Sequence, residues 1–452
     1  MTTVAAGAPW RALVAGGSEP RLWGRLLVGV TLVAWSLALV VGFTPALTVL
    51  TVIGFAAAIA GIARPALGLL GVGVLCTLDA PARVLLFTGG FWRWNTLNYF
   101  LLIVLVLFAS VALRFRDVHT RTLQLLIAVL GIGLVLSPDP ASGLLHIFGI
   151  TSCLALQVYF YRERANPTAF YWLGLVCGTV GAAGSFVFLL QQHALPRVNP
   201  NALAYLPLCG LLTICMAFAY GGLWAGAQWK LAVLAALDLV AVFLTGSRGA
   251  MLIGCAGVLL IVLMMRGMTN RMLAIVVVLL VGITVVTQFT GLAEAAAHRV
   301  NVLLNRKYTI TDRTSGRYDL VVGAWYIFRD HPWGVGTGGF PVYWEEVSAE
   351  GDFTHWRGRG AEFQAHSAWA KTLAENGIPG IVLLGAYVAS FVWVGARRRS
   401  RAALLAGLLT TTVLALAFLS TEFQGKALWL LAAGMTTLLH YRPPWSDDPR
   451  RE

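Results

Sequence analysis

Charge is what this sequence has least of. Asp, Glu, Lys and Arg make up 12% of the 452 residues, and only 20 residues are acidic. A water-soluble domain carries about 25% charged and about 45–50% apolar residues; here 58% are hydrophobic. That deficit excludes a cytosolic metabolic enzyme, a nucleic-acid-binding module and a secreted toxin. Cysteine is scarce too. Cys76, Cys153, Cys177, Cys209, Cys215 and Cys255 all fall inside apolar runs, where they read as small core hydrophobes and not as a disulfide framework or metal site. No short apolar stretch near residue 1 ends in a small-residue cleavage site, so the first span is expected to stay as an anchor. The sequence also lacks internal repeats, heptad arrays and low-complexity tracts.

What is present is a succession of long apolar runs. They lie at about 26–42, 45–62, 66–78, 97–113, 122–136, 143–161, 169–190, 201–222, 231–246, 249–265, 272–289, 378–396, 402–420 and 427–440. A spanning helix needs roughly 20 apolar residues. The runs at 66–78 and 122–136 are short and allow a broken or re-entrant element, so the expectation is 12–14 transmembrane helices in an all-α polytopic membrane protein. The organisation follows: an N-terminal bundle of about 11 spans over 1–289, a long polar segment over 290–377, and C-terminal helices with a short tail over 378–452.

Net charge is +13. Placing the N-terminus inside puts 19 of the 33 Lys and Arg on inside segments, with six acidic residues, and leaves the outside balanced. Basic residues mark the cytoplasmic side of short loops. Both termini are therefore expected in the cytoplasm and 290–377 in the periplasm. The basic charge is an orientation signal, and no nucleic-acid partner is implied.

The 290–377 segment is too long for a structureless loop without a function. Helical apolar spacing predicts helices over 293–309 and 316–330, the second with Ser315 as N-cap. His331-Pro332-Trp333-Gly334-Val335-Gly336-Thr337-Gly338-Gly339-Phe340 follows. It lacks the Gly-Lys-Ser/Thr ending of a phosphate-binding loop, so it reads as a tight turn where backbone passes close to a neighbour. Residues 366–375 read as a short helix stopped at Asn376-Gly377, with Pro379 opening the next span. The acidic group Glu345, Glu346, Glu350 and Asp352 reads as a solvated face, and His298, His331 and His355 as loop histidines.

His366-Ser367, nine residues, Gly377, two residues and Gly380 match the signature of the O-antigen ligase/O-antigen polymerase superfamily of bacterial membrane glycosyltransferases. Three further pieces resemble that family in order and side. Thr245-Gly246-Ser247-Arg248-Gly249-Ala250 resembles its Ser-Arg-Gly motif. Ser315-Gly316-Arg317, with His331-Pro332-Trp333-Gly334-Val335-Gly336, resembles its Arg…Pro-x-Gly-x-Gly portion. Asn199-Pro200-Asn201 resembles its Asn-Pro-Asn. The resemblance covers about 197–395 and implies a fold of the C-type glycosyltransferase (GT-C) kind. It also implies an inner-membrane enzyme that moves a glycan from undecaprenyl diphosphate to a sugar hydroxyl.

Such chemistry needs a base for the attacking hydroxyl and positive charge for the departing diphosphate. Neutral imidazole accepts a proton near neutral pH, which suits His366. Guanidinium is permanently charged and grips phosphate oxygens bidentately, which suits Arg248 and Arg317. Arg248 sits between two apolar runs, where an ionisable residue points to function. Arg197, Asn201, Ser247, Ser367 and Gly336 are the expected substrate-binding positions. Two arginines can replace a metal ion at the diphosphate, so no metal and no cofactor are expected. A single displacement without a protein nucleophile predicts inversion. The expected acceptor is lipid A-core, as in lipopolysaccharide biosynthesis; the alternative is a second lipid-linked repeat, as in a polymerase. The chain's end shortly after Arg442 points away from a protein O-oligosaccharyltransferase. A secondary transporter is the rival from another class; it would show related halves and midplane polar groups, whereas Asp238 is the lone carboxylate deep within a span.

Overall fold

Backbone polar groups in lipid must be satisfied within the segment, which restricts spanning elements to helices or closed barrels. A computed structural model describes residues 117–162, parts of 174–186, 200–219, most of 228–264, most of 307–353 and most of 365–440. Among the described residues the structure is helical and contains no strand. The expected runs at 26–42, 45–62, 66–78, 97–113 and 272–289, and the helix expected over 293–309, lie outside the described residues or almost wholly so.

We label the helices in chain order: α1 Val118–Val135, α2 Pro140–Arg162, α3 Pro200–Ala219, α4 Gln228–Leu244, α5 Arg248–Met264, α6 Ile310–Arg313, α7 Arg317–Asp330, α8 Phe340–Glu350, α9 Ala368–Arg397, α10 Arg401–Ala417 and α11 Lys426–His440. Helix α9 packs on α1, α7 and α10. Helices α10 and α11 continue the bundle toward α2, α3 and α5, and α4 lies on α3.

The short run at 122–136, expected as a span or a broken or re-entrant element, forms one continuous 18-residue helix. Asp117 starts it a turn earlier than the apolar pattern does, by accepting the Thr120 N–H at 2.9 Å, and His119 and Thr120 are buried with the rest. Helices α1 and α9 are long and apolar enough to cross a membrane. Large apolar side chains point outward along the bundle: Leu125, Ile132 and Val135 on α1, Val233 and Leu237 on α4, Leu252 and Leu259 on α5, and Val382 on α9. Exposed apolar stripes on successive helices are what a lipid solvent leaves uncovered. Asp238, next to Leu237, is fully buried instead.

Helix α9 joins the bundle to the polar segment. Thirty residues at 1.5 Å rise span about 45 Å, more than the ~30 Å hydrocarbon core. Its helical geometry breaks at Gly377 (φ 57, ψ −147), two residues before Pro379. The stop and restart expected from Asn376-Gly377 and Pro379 is thus present as a kink. The part before it packs against the polar segment, in a separate small core of Leu320, Ala324, Ile327, Val335, Phe340, Trp344, Ala370 and Ala374.

The glycine-rich loop between α7 and α8 caps that kink. Gly334, Gly336 and Gly338 all take positive φ, near 93°, a conformation cheap only for glycine. The turn lets Val335 N–H bond to Ala374 O at 3.1 Å and Gly336 N–H to Glu375 O at 2.9 Å, while Thr337 N–H reaches Gly133 O on α1 at 3.0 Å. The loop therefore satisfies the end carbonyls of two helices. A methyl group on Gly336 would meet the Ser137 backbone at 2.6 Å. Gly336→Ala is expected to cost at least ~1–3 kcal/mol and lower the Tm by several degrees in detergent. Gly385→Ala, where a Cβ would meet nothing within 4 Å, is expected not to.

Candidate functional site

The segment 365–368 carries the sequence-predicted base. Ser367 is the N-cap of α9: its Oγ accepts the Ala370 N–H at 3.3 Å and donates to Phe418 O at 3.0 Å. Ala368 N–H bonds to the same carbonyl at 2.9 Å. Trp369 Nε1 adds a bond to Ala415 O at 3.0 Å. The start of α9 is thereby fastened to the end of α10. His366 stands immediately before this clamp, exposed, between buried Ala365 and Ser367. It has φ 50 and is the non-glycine residue with positive φ among the described residues. Such backbone costs of order 1–3 kcal/mol and persists where surrounding structure over-determines it, often at functional sites. The two fixed neighbours supply that constraint here, and the outcome is an imidazole presented on the surface.

Arg317 opens α7 and is half-buried. Ser315 was the expected N-cap. The position belongs to Gly316, at φ 80, because its N–H turns back to Thr311 O at 2.8 Å, a left-handed bend that suits glycine. Asp319, in the first turn, accepts from Thr311 Oγ1 at 2.7 Å. The Arg317 guanidinium lies within electrostatic reach of the Tyr205 phenol on α3. Tyr205 Oη and Ser420 Oγ are hydrogen-bonded at 2.9 Å, and Ser420 follows α10 by three residues. A Cβ at Gly249 would lie 2.9 Å from Ser420 Oγ and 3.8 Å from Tyr205 Oη. Arg248 is the first residue of α5, directly before that glycine.

The turn 418–420 thus contacts two of the predicted pieces. Its Phe418 carbonyl holds the residues after His366. Its Ser420 hydroxyl holds Tyr205 and touches the glycine after Arg248. Arg317 lies within electrostatic reach of the same phenol. Asn201 lies on α3, one helical turn before Tyr205. Arg197 lies outside the described residues.

Three of the expected substrate-binding positions are engaged internally. Ser247 Oγ accepts the Ala250 N–H at 3.3 Å as the cap of α5. Ser367 caps α9, as above. Gly336 is buried and its N–H goes to Glu375 O. They shape the site's backbone. Beneath the loop, buried Lys371 and Glu375 approach at 3.9 Å, Phe340 N–H donates to Glu375 Oε1 at 3.3 Å, and Asn376 Nδ2 donates to Thr337 Oγ1 at 2.8 Å. These polar contacts lock the loop onto α9.

Sequence reading missed Tyr205 and Ser420. Tyr205 sits among apolar residues of a span, and Ser420 closes the run 402–420; the only signal was a hydroxyl at a helix end beside a second polar run. Removing one neutral hydrogen bond costs about 0.5–1.5 kcal/mol. Ser420→Ala is therefore expected to lower the melting temperature by a few degrees, measured in detergent.

Among the described residues, no group of three or more His, Cys, Asp or Glu side chains is arranged to hold a metal ion. Residues 231–385, about a third of the chain, match a family model described as O-antigen ligase. The match runs from α4 into α9 and contains Ser247, Arg248, Arg317, Gly336, His366 and Ser367; Arg197, Asn201, Tyr205 and Ser420 lie beyond it. No curated protein matches the chain.

Proposed function

Residues 231–385 belong to the O-antigen ligase family, and from that premise we propose that this chain is an inverting, metal-independent glycosyltransferase of the bacterial inner membrane. It moves a glycan from undecaprenyl diphosphate to a sugar hydroxyl of lipid A-core on the periplasmic face, with both termini in the cytoplasm. The helices form a GT-C-type bundle, with the 290–377 segment as the periplasmic loop that carries the site.

His366 is the general base. It takes the acceptor hydroxyl's proton as that oxygen attacks the anomeric carbon, and the bond from that carbon to the diphosphate oxygen breaks. Arg317 and Arg248 hold the negative charge that develops on the departing diphosphate. Fixed charges at the leaving group stabilise the transition state without reorganisation. Arg197 and Asn201 line the carrier's approach, and Ser247, Ser367 and Gly336 hold the backbones that present the reacting groups.

The observation that carries this reading is the exposed His366, held at positive φ beside a turn that also bonds Tyr205 and lies against the start of α5, with Arg317 within electrostatic reach of that tyrosine. In this reading a base and a cationic clamp act at one edge of the fold. The acceptor is tested by giving the purified protein an undecaprenyl-diphosphate glycan together with lipid A-core and, separately, a second lipid-linked repeat. Label on lipid A-core is the expected result. Chain lengthening instead assigns a polymerase, the second reading, because both reactions use the same base and clamp. Movement of an unmodified solute, without transfer, would indicate the transporter.

A further inference from the structure

Two helices of the polar segment show opposite outer faces. On α8 the exposed positions include Glu345, Glu346 and Glu350, an acidic face suited to water. On α7 the buried face is Asp319, Leu320, Gly323, Ala324 and Ile327, packed on α8 and α9. Its opposite face is Tyr318, Val321, Trp325 and Tyr326, all exposed, Trp325 by 54%. Spacings of three and four residues put Tyr318, Val321 and Trp325 on one stripe, with Tyr326 at its edge. Charge on α7 is confined to Arg317, Asp319, Arg329 and Asp330, near its two ends. Arg329 lies over the Tyr326 ring at 5.5 Å. A water-facing helix would not present so many apolar groups outward.

Beyond the exposed Arg329–Asp330 pair at the helix end, Trp333 is 75% exposed. Trp333 sits at the α9 kink: Pro332 O accepts the Ile378 N–H at 3.1 Å. Ile378 and Val382 begin the outward apolar face of the α9 span, and Val135 and Leu136 close that of α1 beside the same loop. The aromatic stripe therefore meets the edge of the lipid-facing surface. Trp and Tyr concentrate where hydrocarbon gives way to headgroups, and an amphipathic helix with such a face lies in that layer.

We infer that α7 is an interfacial helix, its Tyr318–Val321–Trp325 face and Trp333 seated in the lipid headgroup layer at the mouth of the bundle. The partner is the bilayer itself. The seating fixes Arg317, at the start of α7, at the depth where a lipid-linked diphosphate resides. The inference rests on the chain being a membrane protein and does not need the proposed chemistry.

The test is electron paramagnetic resonance accessibility in proteoliposomes of phosphatidylethanolamine and phosphatidylglycerol. A nitroxide is placed at Trp325→Cys and, separately, Val321→Cys, in a protein whose six native cysteines are replaced. Glu346→Cys reports water and Leu252→Cys reports lipid. Positions 325 and 321 are expected to favour oxygen over a water-soluble nickel complex several-fold more than position 346, approaching position 252. Accessibility equal to that of position 346 overturns the inference. So does a face open to nickel until lipid-linked glycan is added and shielded afterwards, which would make it a sugar platform. A catalytically silent protein with the expected accessibilities would sink the function and leave this inference standing.

Discussion

Replacing His366 by Ala lowers transfer by about two to four orders of magnitude, the usual contribution of a positioned general base. The imidazole is exposed and the residue lies outside both hydrophobic cores, so the melting curve stays unchanged. Ala at φ 50 carries a small backbone penalty, but the Ser367 clamp on Phe418 O is retained. The decisive readout is rescue. Added imidazole restores part of the rate of His366→Ala, because a free base can occupy the emptied volume. A variant with wild-type rates, or one that loses activity only by unfolding, removes His366 from the mechanism.

Arg317→Ala has the second largest effect, a loss of about two to three orders of magnitude, as when one preorganised charge donor is removed from a reacting oxygen. The loss falls mainly on kcat, since the diphosphate gains charge as the glycosidic bond breaks. Arg317→Lys recovers only part of it, because an ammonium cannot grip two oxygens at once. Single-turnover rates with saturating donor check both. A change confined to KM would make Arg317 a docking contact for the carrier and not a stabiliser of the leaving group.

Much of this arrangement was legible in the residues. The apolar runs at 143–161, 231–246, 249–265, 402–420 and 427–440 recur as helices with ends shifted by a few residues, since periodicity fixes an element better than its caps do. The kink at Gly377 was visible because Asn-Gly before a proline has few other conformations. The glycine loop was read as a close-passing turn, and its donors do go to helix-end carbonyls of α1 and α9. Helix α8 was not foreseen: its outward face is acidic, and its inward residues Phe340, Tyr343, Trp344 and Val347 are mixed with Pro341 and Ser348, which blurs the apolar stripe. Ser315 was preferred as a cap for its hydroxyl, but the bend back to Thr311 needed a glycine. The Tyr205–Ser420 contact joins residues 215 positions apart, and one sequence holds no local trace of such a pairing.

The most direct measurement follows one turnover with an isotopically labelled glycan of known anomeric configuration, in excess chelator. One undecaprenyl diphosphate released per glycan transferred, at an undiminished rate and with the anomeric configuration inverted in the product, is the predicted result. Retention of configuration, or transfer abolished by the chelator, would contradict a single displacement driven by His366 and the arginines.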